Sequence, residues 1–517
     1  MARSEASARL FDRLGNMVSA GFLLALVLTM AASGWIAFYE GTHRFMLPFT
    51  TDNAAQQITD AVKSARSNPT DENIRQVSEE IWALSRFVPA QRFSESKLVD
   101  QGIYYASMPK PNQVIMVVHI LLSVFCVSLG GLQFWPAFRK RFMQLHRRIG
   151  MTYVVTAPLS VVAAFFYMAL TAPYNIYANL VAWLALWVFG FLAILSIAMA
   201  MLALKARRLF EHQAWMALSF GCLLVAPLLR LDWVLLVPFF PNIDQETLNL
   251  TTMGIMLPEC LLLAYGLTLV NRQYARPMKQ RSIAAIGNRG TALFLRAVPA
   301  AYAVAVILLV INVLGYFIDQ GMSGMSAATG LVPTALIQRE HSVLTTYPMM
   351  TILFVTSISL AFPAVVFALK KLFLQKAAPI AAPSALSRAT PILTLAAGVA
   401  SCFLGWHIGL GKGSIWLSGG TLYTVNGLVI AGFSLLHLAA LRINQQAIMK
   451  ESLVFLLCLL PFPSLFFAAL HVVSWLHLPA VYINAGQGFV IPVGFSSGLL
   501  FLAMIYVVYG QATREHN

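Results

Sequence analysis

The sequence predicts an all-α fold, a polytopic membrane helix bundle of about twelve transmembrane helices. Three observations carry that reading. Apolar residues make up 59% of the 517 positions and charged residues 11%, with a mean hydropathy of +0.73, whereas a soluble domain carries about 25% charge. Apolar runs of about 20 residues, enough to cross the hydrocarbon core as helix, recur along the whole chain. Basic residues gather in alternate connections between those runs. The composition excludes a soluble enzyme, a disordered chain and a disulfide scaffold. The excess of 35 Lys and Arg over 20 Asp and Glu then has a topological meaning, and no nucleic-acid partner is expected.

The first span, roughly 17–38, follows Arg3, Arg9 and Arg13. Its apolar run from Met17 to Tyr39 exceeds a signal-peptide core, so it reads as an uncleaved anchor. Residues 41–112 form the one sizeable extramembrane piece. There Ile74, Val77, Ile81 and Leu84 recur at helical spacing behind Pro69 and an N-cap at Thr70, which predicts one or two short amphipathic helices. Spans at roughly 113–136, 150–170, 177–203, 213–238 and 252–271 complete a first six-helix unit, 1–271. A basic linker, 272–292, leads to spans at roughly 293–317, 344–369, 389–410, 420–441, 452–474 and 489–510, a second unit over 293–517.

Arg139, Lys140, Arg141, Arg147, Arg148, Lys205, Arg207, Arg208 and the linker fall in connections of one parity, while the short loops of the other parity hold only Arg339 and Lys412. Positive charge resists translocation, so both termini are expected in the cytoplasm. Each unit reads as one span, its largest opposite-side loop, then five spans. Leu204–Pro227 echoes Leu441–Pro461 at an offset of 233, placing Met216 on Met449 and Ser219 on Ser452. That echo predicts a 6+6 parallel repeat about an axis along the membrane normal.

Ionisable groups inside spans are costly and mark sites. His119, Arg230 and Glu259 fall at similar depths from the same ends of their helices, with Asp232 nearer the interface. Gln133 shares a seam of small and polar residues with His119, Ser123, Cys126 and Gly130. These residues read either as a structural ion-pair cluster or as a substrate or proton site. At the basic face, His146 with Arg147 and Arg148, and His212 with Arg208, open spans three and five. Three readings stand: axial ligands of a b-type haem with its propionates on the arginines, a grip on an anionic ligand, or anchoring against anionic lipid headgroups. The five cysteines lie inside spans without metal-ligand spacing, so no metal site is expected. The second half carries His407, His437 and His471, read as structural, and no acidic partner in its apolar interior.

His119, then Gly130-Gly-Leu-Gln133-Phe-Trp, Arg139, His146-Arg-Arg-Ile-Gly150, Tyr153, Ala206-Arg207, His212-Gln-Ala-Trp215-Met216 and Arg230 together resemble the bacterial predicted membrane protein family labelled domain of unknown function 2306. The resemblance covers roughly 113–235 and implies a multi-span domain of a bacterial inner membrane. A looser similarity, to two-haem b cytochromes, implies at most one haem, on His146 and His212. Rossmann, phosphate-loop, HExxH and GxSxG signatures are lacking. The expected function is therefore a membrane redox component binding haem or a quinone-like cofactor in the first half. The alternatives are a secondary transporter, proton-coupled in one version, with its site between the halves, and a structural or lipid-interacting subunit.

Overall fold

The computed structural model describes the chain except at residues 1, 47–48, 50–52, 69, 71, 74–102, 177–178, 237–244, 274–285, 375–384, 410–418, 485 and 516–517. The chain divides into two units, Met1–Pro277 and Met278–Asn517, and no strand occurs among the described residues. Among the described residues, ten helices are long and apolar enough to cross a membrane, or up to twelve if each of two bent pairs is one span. The protein is an all-α, multi-pass membrane bundle.

In the first unit, α1 (Ala2–Tyr39) continues through a π turn (Glu40–Arg44) and is followed by α2 (Ala54–Ser67). The α2 helix buries Ala54, Ile58, Val62 and Ala65, a spacing of four, four and three that keeps one face inward. The Ile74–Leu84 pattern lies outside the described residues. Next come α3 (Lys110–Gln133), the short α4 (Pro136–Arg141), α5 (Met143–Leu170) and α6 (Asn179–Lys205). A bent pair, α7 (Leu209–Leu223) and α8 (Val225–Leu236), and then α9 (Gln245–Gln273) close the unit.

Helical phase sorts the side chains. Along α5, Met151, Val155, Leu159 and Phe166 are exposed, while Tyr153, Ala157, Ser160 and Tyr167 are buried. The first set forms a lipid-facing stripe and the second the core. At Gly221 of α7 a Cβ would lie 2.5 Å from the Cys260 carbonyl oxygen of α9, so only glycine lets these two backbones meet. The α7–α8 pair bends by 60° at Leu224. Pro227 has no N–H for the Leu223 carbonyl and its ring crowds that turn, which breaks the helix there.

The second unit repeats the order. It comprises α10 (Ile286–Phe317), the short α11 (Met322–Met325) and α12 (Thr334–Thr346), then α13 (Pro348–Leu374), α14 (Ala385–Ile408) and α15 (Gly419–Arg442). A second bent pair follows, α16 (Gln446–Leu459) and α17 (Phe462–Ser474), at 41° beside Pro461 and Pro463. The short α18 (Ala480–Asn484) and α19 (Val490–Glu515) end it. Helices α14 and α15 approach through glycine at both ends of their contact. A Cβ on Gly427 would sit 2.6 Å from the Gly398 carbonyl oxygen, and one on Gly405 2.7 Å from that of Gly420.

Each bent pair is entered by the same turn. Arg207 takes φ +60 and Asn444 φ +56. The Arg208 N–H bonds the Ala203 carbonyl at 2.8 Å, and the Gln445 N–H bonds that of Ala440 at 2.9 Å. Both are Schellman closures, and they match at an offset of 237. The sequence echo at 233 is four residues out, about one helical turn; a slip of one turn preserves the face, which is why the side-chain pattern admitted it. Arginine is poorly suited to the left-handed region, where asparagine is better tolerated. Arg207→Asn is therefore expected to raise the thermal midpoint in detergent, by about 0.5 kcal/mol of stability; an unchanged or lower midpoint would count against this account of the turn.

Candidate functional site

The first unit encloses a cavity of about 330 Å³. Its wall takes Ser33 and Ala37 from α1, Glu40 from the π turn, Met116, His119 and Ser123 from α3, and Ser160, Ala164 and Tyr167 from α5. Phe189 and Gly190 of α6 and Cys222, Pro227, Arg230 and Trp233 around the α7–α8 bend complete it. The bend itself makes room. A straight helix would carry α8 past the cavity, whereas the break at Leu224 turns Arg230 and Trp233 onto it. Most of the lining is aliphatic or aromatic, with a few polar groups, as in sites for small apolar ligands.

His119 is the oriented polar group of this wall. Its Nδ1 lies 2.8 Å from the Ser160 carbonyl oxygen, an acceptor only, so Nδ1 carries the proton and donates. The Ser160 hydroxyl bonds back to the His119 carbonyl at 3.2 Å and lies 2.8 Å from the Ser123 hydroxyl. In the neutral ring this leaves Nε2 as an acceptor, and among the described residues Nε2 has no partner. Arg230, half-buried, donates from Nη1 to the Ala226 carbonyl at 3.1 Å.

Of the four cluster residues named from sequence, His119 and Arg230 share this cavity; Glu259 and Gln133 lie elsewhere. The Glu259 carboxyl on α9 lies within electrostatic reach of the Asp232 carboxyl on α8. Among the described residues no ion pair joins it to Arg230. Asp232, expected near the interface, is only 9% exposed. Gln133 stands at the other end of α3, its Oε1 3.3 Å from where a Gly150 Cβ would be. Fourteen residues of helix, roughly 21 Å, separate it from His119.

At the basic end, His146 and His212 lie within electrostatic reach of one another. The His212 Nδ1 bonds the Ala200 carbonyl at 2.9 Å. The His146 Nδ1 is buried with no partner, whereas a metal-ligating histidine has its other nitrogen held. Arg208 is taken by an ion pair with buried Glu211, Nη1 to Oε2 at 2.6 Å, and the Trp215 indole reaches the other Glu211 oxygen at 3.4 Å. Arg147 and Arg148 are exposed. Neither histidine lines the cavity. This set does not fit a haem: nothing holds the Nδ1 of one ring, and one arginine meant for a propionate is neutralised within the protein.

The second unit holds an acidic group that the sequence reading passed over as a loop residue. Glu340 of α12 is fully buried. It accepts the Met322 N–H at 3.1 Å, the Ser323 N–H at 3.0 Å, the Ser323 hydroxyl, and the Tyr423 hydroxyl at 3.1 Å. The Tyr423 hydroxyl in turn meets that of Tyr316 at 2.5 Å. Gly321, at φ +107, is required beside it, since a Cβ there would lie 2.6 Å from the Glu340 Cδ. Burial pushes the Glu340 carboxyl up to about 7, against the opposing hydrogen bonds from Ser323, Tyr423 and Met322. Glu340 belongs to the connection between α10 and α13, outside the candidate spans, where the span-by-span search for acidic partners did not reach. His437 is tied within the unit, Nδ1 to the Ser452 hydroxyl at 3.0 Å.

Residues 116–266 match the family described as predicted membrane protein (DUF2306). That segment is under a third of the chain, but it carries His119, Arg230, Asp232 and Glu259 and most of the cavity wall. No curated protein and no solved structure matches.

Proposed function

We propose that the first unit is a membrane-embedded binding domain for a lipid-soluble, quinol-like molecule with an apolar body and a hydroxyl-bearing ring. The observation that carries this reading is the fixed tautomer of His119, which presents an acceptor nitrogen to a largely apolar cavity. A ring hydroxyl would donate to Nε2, and an oxygen of the same head group would accept from the Arg230 guanidinium. Phe165, Phe189 and Trp233 would supply aromatic contact, which prefers offset or edge-on geometry to an aromatic ligand. A ligand of one ring with a short tail suits about 330 Å³, near the lower bound of ordinary ligand pockets. With the basic ends in the cytoplasm, as the charge asymmetry supports, this cavity would lie toward the opposite face of the membrane. Exposed Arg147 and Arg148 would then meet anionic headgroups on the cytoplasmic side.

The test is calorimetric titration of the purified protein in detergent with a short-chain hydroquinone and with its dimethyl ether. The hydroquinone is expected to bind at least tenfold more tightly than the ether, as one hydrogen bond of about 1.5 kcal/mol implies, and His119→Ala should remove that preference. Equal binding of the two compounds, or an unchanged preference in the variant, would end the reading.

A further inference from the structure

The basic end of the first unit, at the opposite end of α3 from His119, keeps several donors with nothing to donate to. Arg139 on α4 gives its Nη2 proton to the Asn271 Oδ1 on α9 at 2.9 Å. Arginine only donates, so the atom facing it is the amide oxygen and the Asn271 nitrogen turns away. That nitrogen is buried with no acceptor among the described residues. So are the Gln133 Nε2 at the end of α3 and the His146 Nδ1 in the first turns of α5. Gln133 and Asn271 are each more than nine-tenths buried. Buried donors normally find acceptors, and three unmet at one end of one bundle call for an acceptor from outside the chain. There is room beside them. A Cβ on Gly150, one turn beyond His146, would stand 3.3 Å from the Gln133 Oε1. Among the described residues it would meet nothing else within 4 Å outside the backbone of its own helix. Gln133 and His146 thus flank a notch floored by Gly150. Charge points the same way. No acidic residue occurs between Asp100 and Glu211, a stretch that includes all of α4 and α5, and Glu211 is taken by Arg208. The α4 helix packs on both α3 and α5, and Arg139 lies within electrostatic reach of His146. The first turn of α5 holds no acid, although the positive end of its dipole favours an anion there.

We infer that Gln133, Arg139, His146 and Asn271 form a binding site for a phosphate group at the basic end of the first unit. Arg139 supplies the charge, with N–H groups left over after its bond to Asn271. The amide groups of Gln133 and Asn271 and the His146 imidazole supply direction. A carboxylate offers two oxygens in one plane, which an arginine alone can meet. A phosphate presents its oxygens around a tetrahedron, to donors that arrive from α3, α4, α5 and α9 together. Neutral His146 suffices, because its Nδ1 donates in one of the two tautomers. Two sources carry this chemistry: the headgroup of an anionic phospholipid, and free phosphate. The site shares no residue with the His119 cavity and does not depend on the ligand proposed there.

The experiment is calorimetric titration of the full-length protein in a neutral maltoside detergent. The probes are dihexanoyl-phosphatidylglycerol, inorganic phosphate, and dihexanoylglycerol, which has the same tails without the phosphate. At least one phosphate probe is expected to bind, and dihexanoylglycerol is not. Binding of the phosphatidylglycerol assigns the site to a lipid headgroup, and binding of inorganic phosphate alone assigns it to the free anion; either outcome supports it. Arg139→Gln, which can still donate to Asn271, should weaken the bound probe about tenfold or more, as loss of a charge-assisted bond implies. Gln133→Leu should weaken it about threefold or more. Arg148→Gln, exposed on α5, should change it by less than about twofold. Gly150→Leu fills the notch without altering charge and should abolish binding. Failure of both phosphate probes to bind would overturn the site. Equal losses in Arg139→Gln and Arg148→Gln would overturn it too, since they mark diffuse surface attraction, as would unchanged binding in Gly150→Leu. Each variant is first matched to the parent by thermal unfolding. Where Gly150→Leu fails to fold, Gly150→Ala takes its place, with a severalfold loss expected and an unchanged affinity counting against the site.

Discussion

Replacing Glu340 by alanine is expected to destabilise the protein by about 3 kcal/mol or more, since it strands two backbone N–H groups and the Tyr423 hydroxyl in a buried setting. The parent protein should also show a pH dependence at this residue. Burial raises the carboxyl from 4.5 in the reference state to about 7 in the folded state, so the folded protein holds this proton more tightly than the unfolded chain does. The resulting stability is fully present below about pH 4.5 and is lost as pH rises through about 7. Between those values the slope contributed by the group approaches about 1.4 kcal/mol per pH unit. Thermal unfolding in detergent at a series of pH values reads both effects. Glu340→Gln, which cannot titrate, should remove this component; an identical slope in parent and variant would show that Glu340 does not produce it.

The second large effect is expected at Gly427. A Cβ there would lie 2.6 Å from the Gly398 carbonyl oxygen and 2.7 Å from the Cys402 nitrogen. Both are backbone atoms, which cannot swing aside as a side chain would. Gly427→Ala should therefore push α14 and α15 apart and cost about 2–3 kcal/mol, measured by thermal unfolding or by denaturant titration in mixed micelles. Gly398→Ala meets the same contact, its Cβ 2.8 Å from the Gly427 carbonyl oxygen. The double variant should consequently cost clearly less than the two singles added together. Strict additivity would mean that the two glycines do not act at one contact. Gly432, with nothing within 4 Å of its Cβ, is the control, and alanine there should be neutral or better.

Much of this architecture was legible because a spanning helix announces itself twice, by the length of its apolar run and by its phase. The seams of spans two and three, and of span five as far as Leu223, face inward, whereas Ala226 beyond the break is exposed. Ser123 meets Ser160, Cys126 meets Thr156, and Tyr153 meets Ser219. Phase alone does not survive a break, however. Arg230 and Asp232 are two residues apart, about 200° around a helix, so they look in nearly opposite directions. The bend at Leu224 decides which of them faces α9. The sequence suggested an Arg230–Glu259 pairing by depth; the structure gives that place to Asp232. Glu340 was illegible for a different reason. Its burial depends on a short segment turned back by Gly321 at positive φ and on a tyrosine 83 residues away, and neither leaves a periodic signal. At the basic end, charge pattern identified His146 and His212 but could not reveal that Glu211 claims Arg208.

The glycine seam between α14 and α15 has a mechanical consequence. Two helices whose backbones touch at Gly398–Gly427 and again at Gly405–Gly420 have no side-chain layer between them to shear, so neither can slide past the other without climbing over main-chain atoms. They form a stiff plank. Any large excursion of the second unit must then be absorbed elsewhere, and the hinge between α16 and α17, already cranked by 41°, is the element suited to take it up.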